Sequence, residues 1–197
     1  MESMVKDVHK ALYAQKKILI NEEIEQDIIE KVVMQIMHYN TEDDELEEDS
    51  GICSHCKTLS YDRKSVPILL YINSNGGCAE EMLSVISAIE TSRTPVWTYV
   101  LGKAYSAGSI ISMCGHKRLA QKHSRFMIHH MYTEMHGSLP HLVSKCHDGL
   151  EVQSIVNQII CSKTNITEED IEKYTMGKNW TFGSSKALEL GVIDLII

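Results

Sequence analysis

Two apolar runs of strand length, VPILLYIN at residues 66–73 and TPVWTYVL at 94–101, are each followed by a glycine-bearing turn and then by an apolar helical pattern. Near-continuous hydrophobicity means that both faces of each strand are covered, which is the signature of a parallel sheet. A parallel pair needs a crossover, usually a helix. The repeated order strand, turn, helix therefore restricts the chain to the α/β class. The rest of the chain supports this reading. KILI at 17–20 and KRLA at 117–120 have the length and apolarity of short strands, as does SRFMIHH at 124–130. From Asn21 the spacing of Ile24, Ile28, Ile29, Val32, Val33, Ile36 and Met37 predicts a helix ending near Asn40. A long helix is expected over about 138–162, with Pro140 in its first turn, and another begins at Thr167, where Asp170 completes a capping box.

One stretch does not fit this alternation. Residues 41–65 are polar and acidic and carry Cys53 and Cys56, a length unusual for a loop inside a compact domain, so an insertion is expected there. The formal charge of −8 comes from it: EDDELEED at 42–49 holds seven acids, and without them 20 acidic residues face 19 basic ones. A nearly neutral remainder offers no basic stripe for nucleic acid, and the acidic run reads as a solvated, mobile segment. At 197 residues a single domain, 1–197, is expected. Six scattered cysteines suit free thiols in a reducing compartment. Cys53-x-x-Cys56 lacks a second pair to complete a zinc site, and the histidines at 129, 130, 136, 141 and 147 lack a metal-ligand spacing, so no metal is expected. No apolar run is long enough for a membrane span, and the N-terminal residues lack the apolar region of a signal peptide; a cytoplasmic location is expected.

The glycine-bearing turns lie where ligands bind in open α/β sheets, beyond the carboxyl ends of the strands. In SNGG at 74–77, Gly76 and Gly77 permit positive φ and leave backbone N–H groups bare. In GKAYSAGS at 102–109, Ser106 opens a helix. The N–H groups of Gly77 and Ala107 are suited to an oxyanion hole, while small residues in two tight turns also suit plain packing. The G-x-S-x-G elbow of α/β-hydrolases does not match, because Ala104 stands at its first glycine. His129 lies at the end of FMIH, where a lone histidine is usually structural.

Taken together, YINSNGG (71–77), GKAYSAGS (102–109), SRFMIHH (124–130) and ALELGVID (187–194) resemble, in order and spacing, the proteolytic subunits of the Clp protease family, ClpP. The resemblance covers roughly residues 12–40 and 66–197 and implies a ClpP/crotonase-like fold, a parallel sheet core with a protruding handle helix. It implies a serine endopeptidase that cleaves unfolded polypeptides, with Ser106 as nucleophile, His129 as general base, and Gly77 and Ala107 at the oxyanion positions. It implies a homo-oligomer of two stacked seven-membered rings joined through the long helix. No cofactor is implied, because ATP is used by an AAA+ unfoldase partner.

The chain departs from that pattern at the third catalytic position. Counting back from Asp194, the family's aspartate falls on Asn179; counting forward from the capped helix gives Lys178. Asn179 is the chemically sensible choice, since an amide oxygen accepts a hydrogen bond from imidazole but brings no charge. Asp170 is an alternative acid that capping already explains. The family's INSPGG proline is Asn75, His130-Met131 replaces Gln-Pro, and the segment before KILI is short, so unfoldase-contacting loops are expected to be reduced. Two further readings follow: a catalytically weakened or inactive structural subunit of a Clp-type ring, favoured by Asn179, and a crotonase-type acyl-CoA enzyme, which does not need the Ser106–His129 pair.

Overall fold

The computed structural model describes residues 11, 12, 14–49, 66–132 and 134–197. Its element order is β1 (Lys17–Ile20), a π-helical turn (Ile29–Val33), α1 (Met34–Asp49), β2 (Ile68–Ser74), α2 (Ala79–Thr91), β3 (Val96–Tyr105), α3 (Ala107–Met113), β4 (Lys117–Ala120), β5 (Arg125–Ile128), α4 (Leu139–Lys163), α5 (Glu168–Thr175), β6 (Trp180–Gly183), α6 (Ser184–Glu189) and β7 (Leu195–Ile196). The sheet runs β1-β2-β3-β4-β7, and β5 and β6 branch from β3. All pairings along this path are parallel, as the apolar runs require; only β5 and β6 pair antiparallel. This is the α/β architecture expected for the ClpP fold.

The branch at β3 positions the site. Trp97–Val100 pair with β4, whereas Lys103–Tyr105 pair with β5. Between them the β2–β3 register shifts, and Leu101 and Gly102 are exposed. One long strand thus serves two neighbours, and the second half carries β5 and β6 away from the main sheet. On the core side Ile68, Leu70, Ile72, Val96, Val100, Ala104, Phe126 and Ile128 are buried in one apolar cluster. Phe126 stacks on Phe182 across β5–β6, with ring centroids 5.8 Å apart.

Two expectations at the N-terminal end are corrected. Helix α1 does not stop near Asn40 but continues through Asp49, so residues 41–49 of the acidic run are helical, not a loose insertion. Asn40, read as a terminator, holds the end of α2 instead: its Oδ1 accepts from the N–H groups of Arg93 (2.8 Å) and Thr94 (3.0 Å). Within the acidic run, Asp43 pairs with Lys16 and accepts from Thr94 Oγ1, and Asp44 pairs with Arg93. These charges fix the helix against β1 and the α2–β3 turn. Cys53 and Cys56, with the remainder of the expected insertion, lie outside the described residues. The second correction concerns Ile24. Its periodicity fitted a helix, but it forms a parallel bridge to Gly77, and helical structure starts only after it.

Candidate active site

The Ser74-Asn75-Gly76-Gly77 turn is built by two kinds of hydrogen bond. Ser74 Oγ accepts from Gly76 N–H (3.1 Å) and donates to the Glu22 carbonyl (2.6 Å). Ile24 then clips the turn: its N–H donates to Gly76 O (2.8 Å) and its carbonyl accepts from Cys78 N–H (2.7 Å). Gly76 has φ 102° and Gly77 φ 150°. The space is as restrictive as the backbone. A Cβ at Gly76 would lie 2.7 Å from the Ser106 Cβ, and one at Gly77 would fall on the Ile24 backbone, 2.7 Å from its nitrogen. Ile24, and Ser74 as turn-builder, are absent from a motif reading. A serine two residues before a glycine pair is the signal for the Ser74 turn; Ile24 left none, because its spacing mimicked a helix.

Ser106 occupies the sharp corner between β3 and α3, with φ 50° and ψ −123°. A non-glycine residue there is strained by on the order of 1–3 kcal/mol. The corner is held from outside: Ser106 N–H donates to the Met127 carbonyl at 2.8 Å, extending the β3–β5 pairing by one rung. All seven residues of α3 are buried behind it. The corner turns the hydroxyl toward β5, where His129 Nε2 lies 2.7 Å from Ser106 Oγ. Ala107 N–H, in the first helical turn, is an orphan donor. Gly77 N–H meets no acceptor among the described residues, since its bridge to Ile24 uses the groups of Gly76 and Cys78. Both expected oxyanion donors thus lie on the two turns that touch through Gly76 and Ser106.

His129 is half-buried, one residue past β5. Burial, and secondarily the neighbouring His130 charge, hold its imidazole below the ordinary histidine range. It is therefore neutral near pH 7, the state in which Nε2 accepts a proton. Asn179 directly precedes β6. The antiparallel register ends on the pair Ile128–Trp180, and His129 and Asn179 are the next residues beyond it, one on each strand. The Asn179 side chain is exposed. The structure brings Ser106 and His129 into contact and, among the described residues, gives Asn179 no hydrogen bond to either. Asp170 is elsewhere engaged: its carboxylate accepts from Thr167 N–H (3.2 Å) and Thr167 Oγ1 (2.8 Å), and these bonds hold it below the usual carboxylate range.

Among the described residues no three His, Cys, Asp or Glu side chains converge as metal ligands. No helix among them is long and apolar enough to cross a membrane.

Comparison with known proteins matches the chain, over residues 44–197, to the family described as Clp protease. A similar curated protein is "ATP-dependent Clp protease proteolytic subunit 4" of Rhodococcus jostii (strain RHA1). It is 25% identical over 193 residues, which cover 97% of this chain and 89% of that protein.

Proposed function

Because the chain belongs to the Clp protease family, we propose that it is a serine endopeptidase subunit that cleaves unfolded polypeptides. The observation that carries this reading is the 2.7 Å contact between His129 Nε2 and Ser106 Oγ at a strained corner. A serine hydroxyl is a poor nucleophile until a base accepts its proton. In the proposed cycle His129 Nε2 takes that proton as Oγ attacks the scissile carbonyl, forming the bond to carbon. The developing oxyanion is received by the N–H groups of Gly77 and Ala107. The protonated imidazole then gives its proton to the leaving amine, and water releases the acyl group by the same steps in reverse. Asn179 is the proposed third member, accepting from His129 Nδ1–H once substrate closes over the site. By family resemblance the subunits assemble as two stacked heptameric rings with an AAA+ unfoldase as partner, and this chain needs no cofactor of its own.

The test is cleavage of short fluorogenic peptides by purified protein of known assembly state. Ser106→Ala is expected to remove at least about a thousandfold of the rate. Unchanged cleavage in that variant would assign the activity elsewhere. The pH profile gives a second check. The depressed pKa keeps His129 neutral as pH falls, so the acidic limb of kcat/KM is expected below about pH 6.5, the ordinary histidine value. His130→Gln removes one cause of the depression and is expected to move the limb upward. An acidic limb above neutrality would contradict the assignment of His129.

A second reading has its own observation. The exposed Asn179, without a hydrogen bond to His129, favours a weakened or inactive subunit that contributes architecture to a Clp-type ring. A folded, ring-forming protein that cleaves no peptide would support it.

A further inference from the structure

The sheet face that carries His129 also carries two cations that the chemistry above does not use. Along β5, Phe126 and Ile128 enter the core, so Arg125, Met127 and His129 take the opposite face. The parallel register sets Lys103 beside Arg125 and Tyr105 beside Met127, on that same face. Lys103 is held in place at the glycine turn. Its Nζ donates to Asn75 Oδ1 at 2.6 Å, its N–H donates to Asn73 Oδ1 at 3.3 Å, and its ammonium lies 6.0 Å from the Tyr105 ring centroid. Asn75 immediately precedes Gly76, the residue that abuts Ser106.

Neither cation has a carboxylate partner among the described residues; Lys17, Lys117, Lys122, Lys145, Lys173 and Lys178 also form no ion pair there, so what singles out Lys103 and Arg125 is their place on the face that carries His129. An ammonium tied to an amide oxygen keeps its full charge for a ligand. Lys103 precedes Ser106 by three residues, about 10 Å along a strand, a distance that an extended peptide covers in about three residues.

We propose that Lys103 and Arg125 form a subsite for an acidic side chain of the substrate, two or three residues from the scissile bond. The protein then selects acidic segments of unfolded chains. The inference rests on Ser106 and His129 being the reacting pair, because that pair fixes where the peptide lies. The positive charges act through partly screened solvent, so the preference is moderate and sensitive to salt.

The experiment measures binding, so that its outcome does not depend on turnover. Ser106→Ala protein in its native assembly is titrated with fluorescein-labelled octapeptides in which one glutamate, placed at each position in turn, is compared with glutamine. At about 20 mM salt the best glutamate peptide is expected to bind about five- to tenfold more tightly than its glutamine partner, falling to about twofold at about 0.5 M. Lys103→Gln and Arg125→Gln, each in the Ser106→Ala background, are expected to lower that ratio, and Lys103→Arg to retain it. Equal binding of each pair at low salt, or no measurable binding of any peptide, would overturn the proposal. If a variant fails to assemble, the salt dependence of the Ser106→Ala protein decides alone. Cleavage of the same peptides by wild-type protein is read separately. Ser106-dependent cleavage with no glutamate preference in binding rejects the acidic subsite and leaves the peptidase reading intact; a glutamate preference without any cleavage does the reverse.

Discussion

Asn179→Asp is expected to raise kcat for peptide cleavage by about 10²- to 10⁴-fold, the range bounded by the loss that the opposite change causes in a serine triad. Ile128 and Trp180 are the last pair of the β5–β6 ladder, and continuing that register by one step brings position 179 to His129. An amide there accepts at most one hydrogen bond from Nδ1–H and does not offset the positive charge that imidazole acquires as Ser106 loses its proton. It also presents an NH2 group, which is compatible with the tautomer that places the hydrogen on Nε2 and so removes the base. A carboxylate admits only Nδ1–H and stabilises imidazolium in the transition state. The change is isosteric and lies on an exposed residue, so stability is expected to alter by less than about 0.5 kcal/mol. A kcat within threefold of wild type, with intact assembly, would show that position 179 does not support His129. The acidic limb of the pH profile is expected to move upward in the same variant, because a nearby carboxylate favours the charged imidazole.

Gly77→Ala is expected to lower kcat/KM by at least about a hundredfold, the effect of losing one oxyanion donor. Two independent costs converge there. The backbone has φ 150°, a conformation that L side chains rarely adopt, and the added Cβ would collide with the Ile24 backbone. Ile24 cannot retreat without breaking its hydrogen bonds to Gly76 O and Cys78 N–H, which shape the same turn. The turn must therefore move, carrying the Gly77 N–H away from Ser106. A loss of stability of about 1–3 kcal/mol is expected alongside, measured by thermal or denaturant unfolding. Wild-type cleavage in a folded Gly77→Ala protein would remove this N–H from the reaction.

The strands that announce themselves in sequence are the long apolar ones, whose second face is half-buried although the near-continuous hydrophobicity predicts cover on both. β2 and β3 are near-continuous apolar runs, and their crossover helix has regular spacing, so the parallel sheet is legible before any coordinates. β6 is different: WTFG is four residues long and largely half-exposed, and it exists as a strand because Phe126 and Ile128 offer it a pairing edge. That edge also explains why counting along the chain gives both Lys178 and Asn179. Sequence distance runs through the α5–β6 turn, whereas spatial position follows the β5–β6 register. Ile24 misled for a related reason. A buried isoleucine four residues before another fits one helical face, yet tertiary hydrogen bonds to the glycine turn hold it extended. The helical course of residues 41–49 was hidden by their charge, which reads as solvation until Lys16 and Arg93 are seen beside Asp43 and Asp44. The Ser106–His129 pair was legible only through the family resemblance, because the strand pairing that joins the two is not written in the motifs. The two side chains end adjacent strands, and those strands run parallel.

If Ser106 is an activated nucleophile, it reacts covalently with an electrophilic probe. Folded protein of known assembly state is incubated with a fluorophosphonate, and intact mass and peptide mapping locate the adduct. A single adduct is expected on Ser106, absent in Ser106→Ala, slowed by at least about a hundredfold in His129→Ala, and accelerated in Asn179→Asp. A folded, assembled protein that takes no label, or takes it on a residue other than Ser106, would contradict Ser106 as the nucleophile.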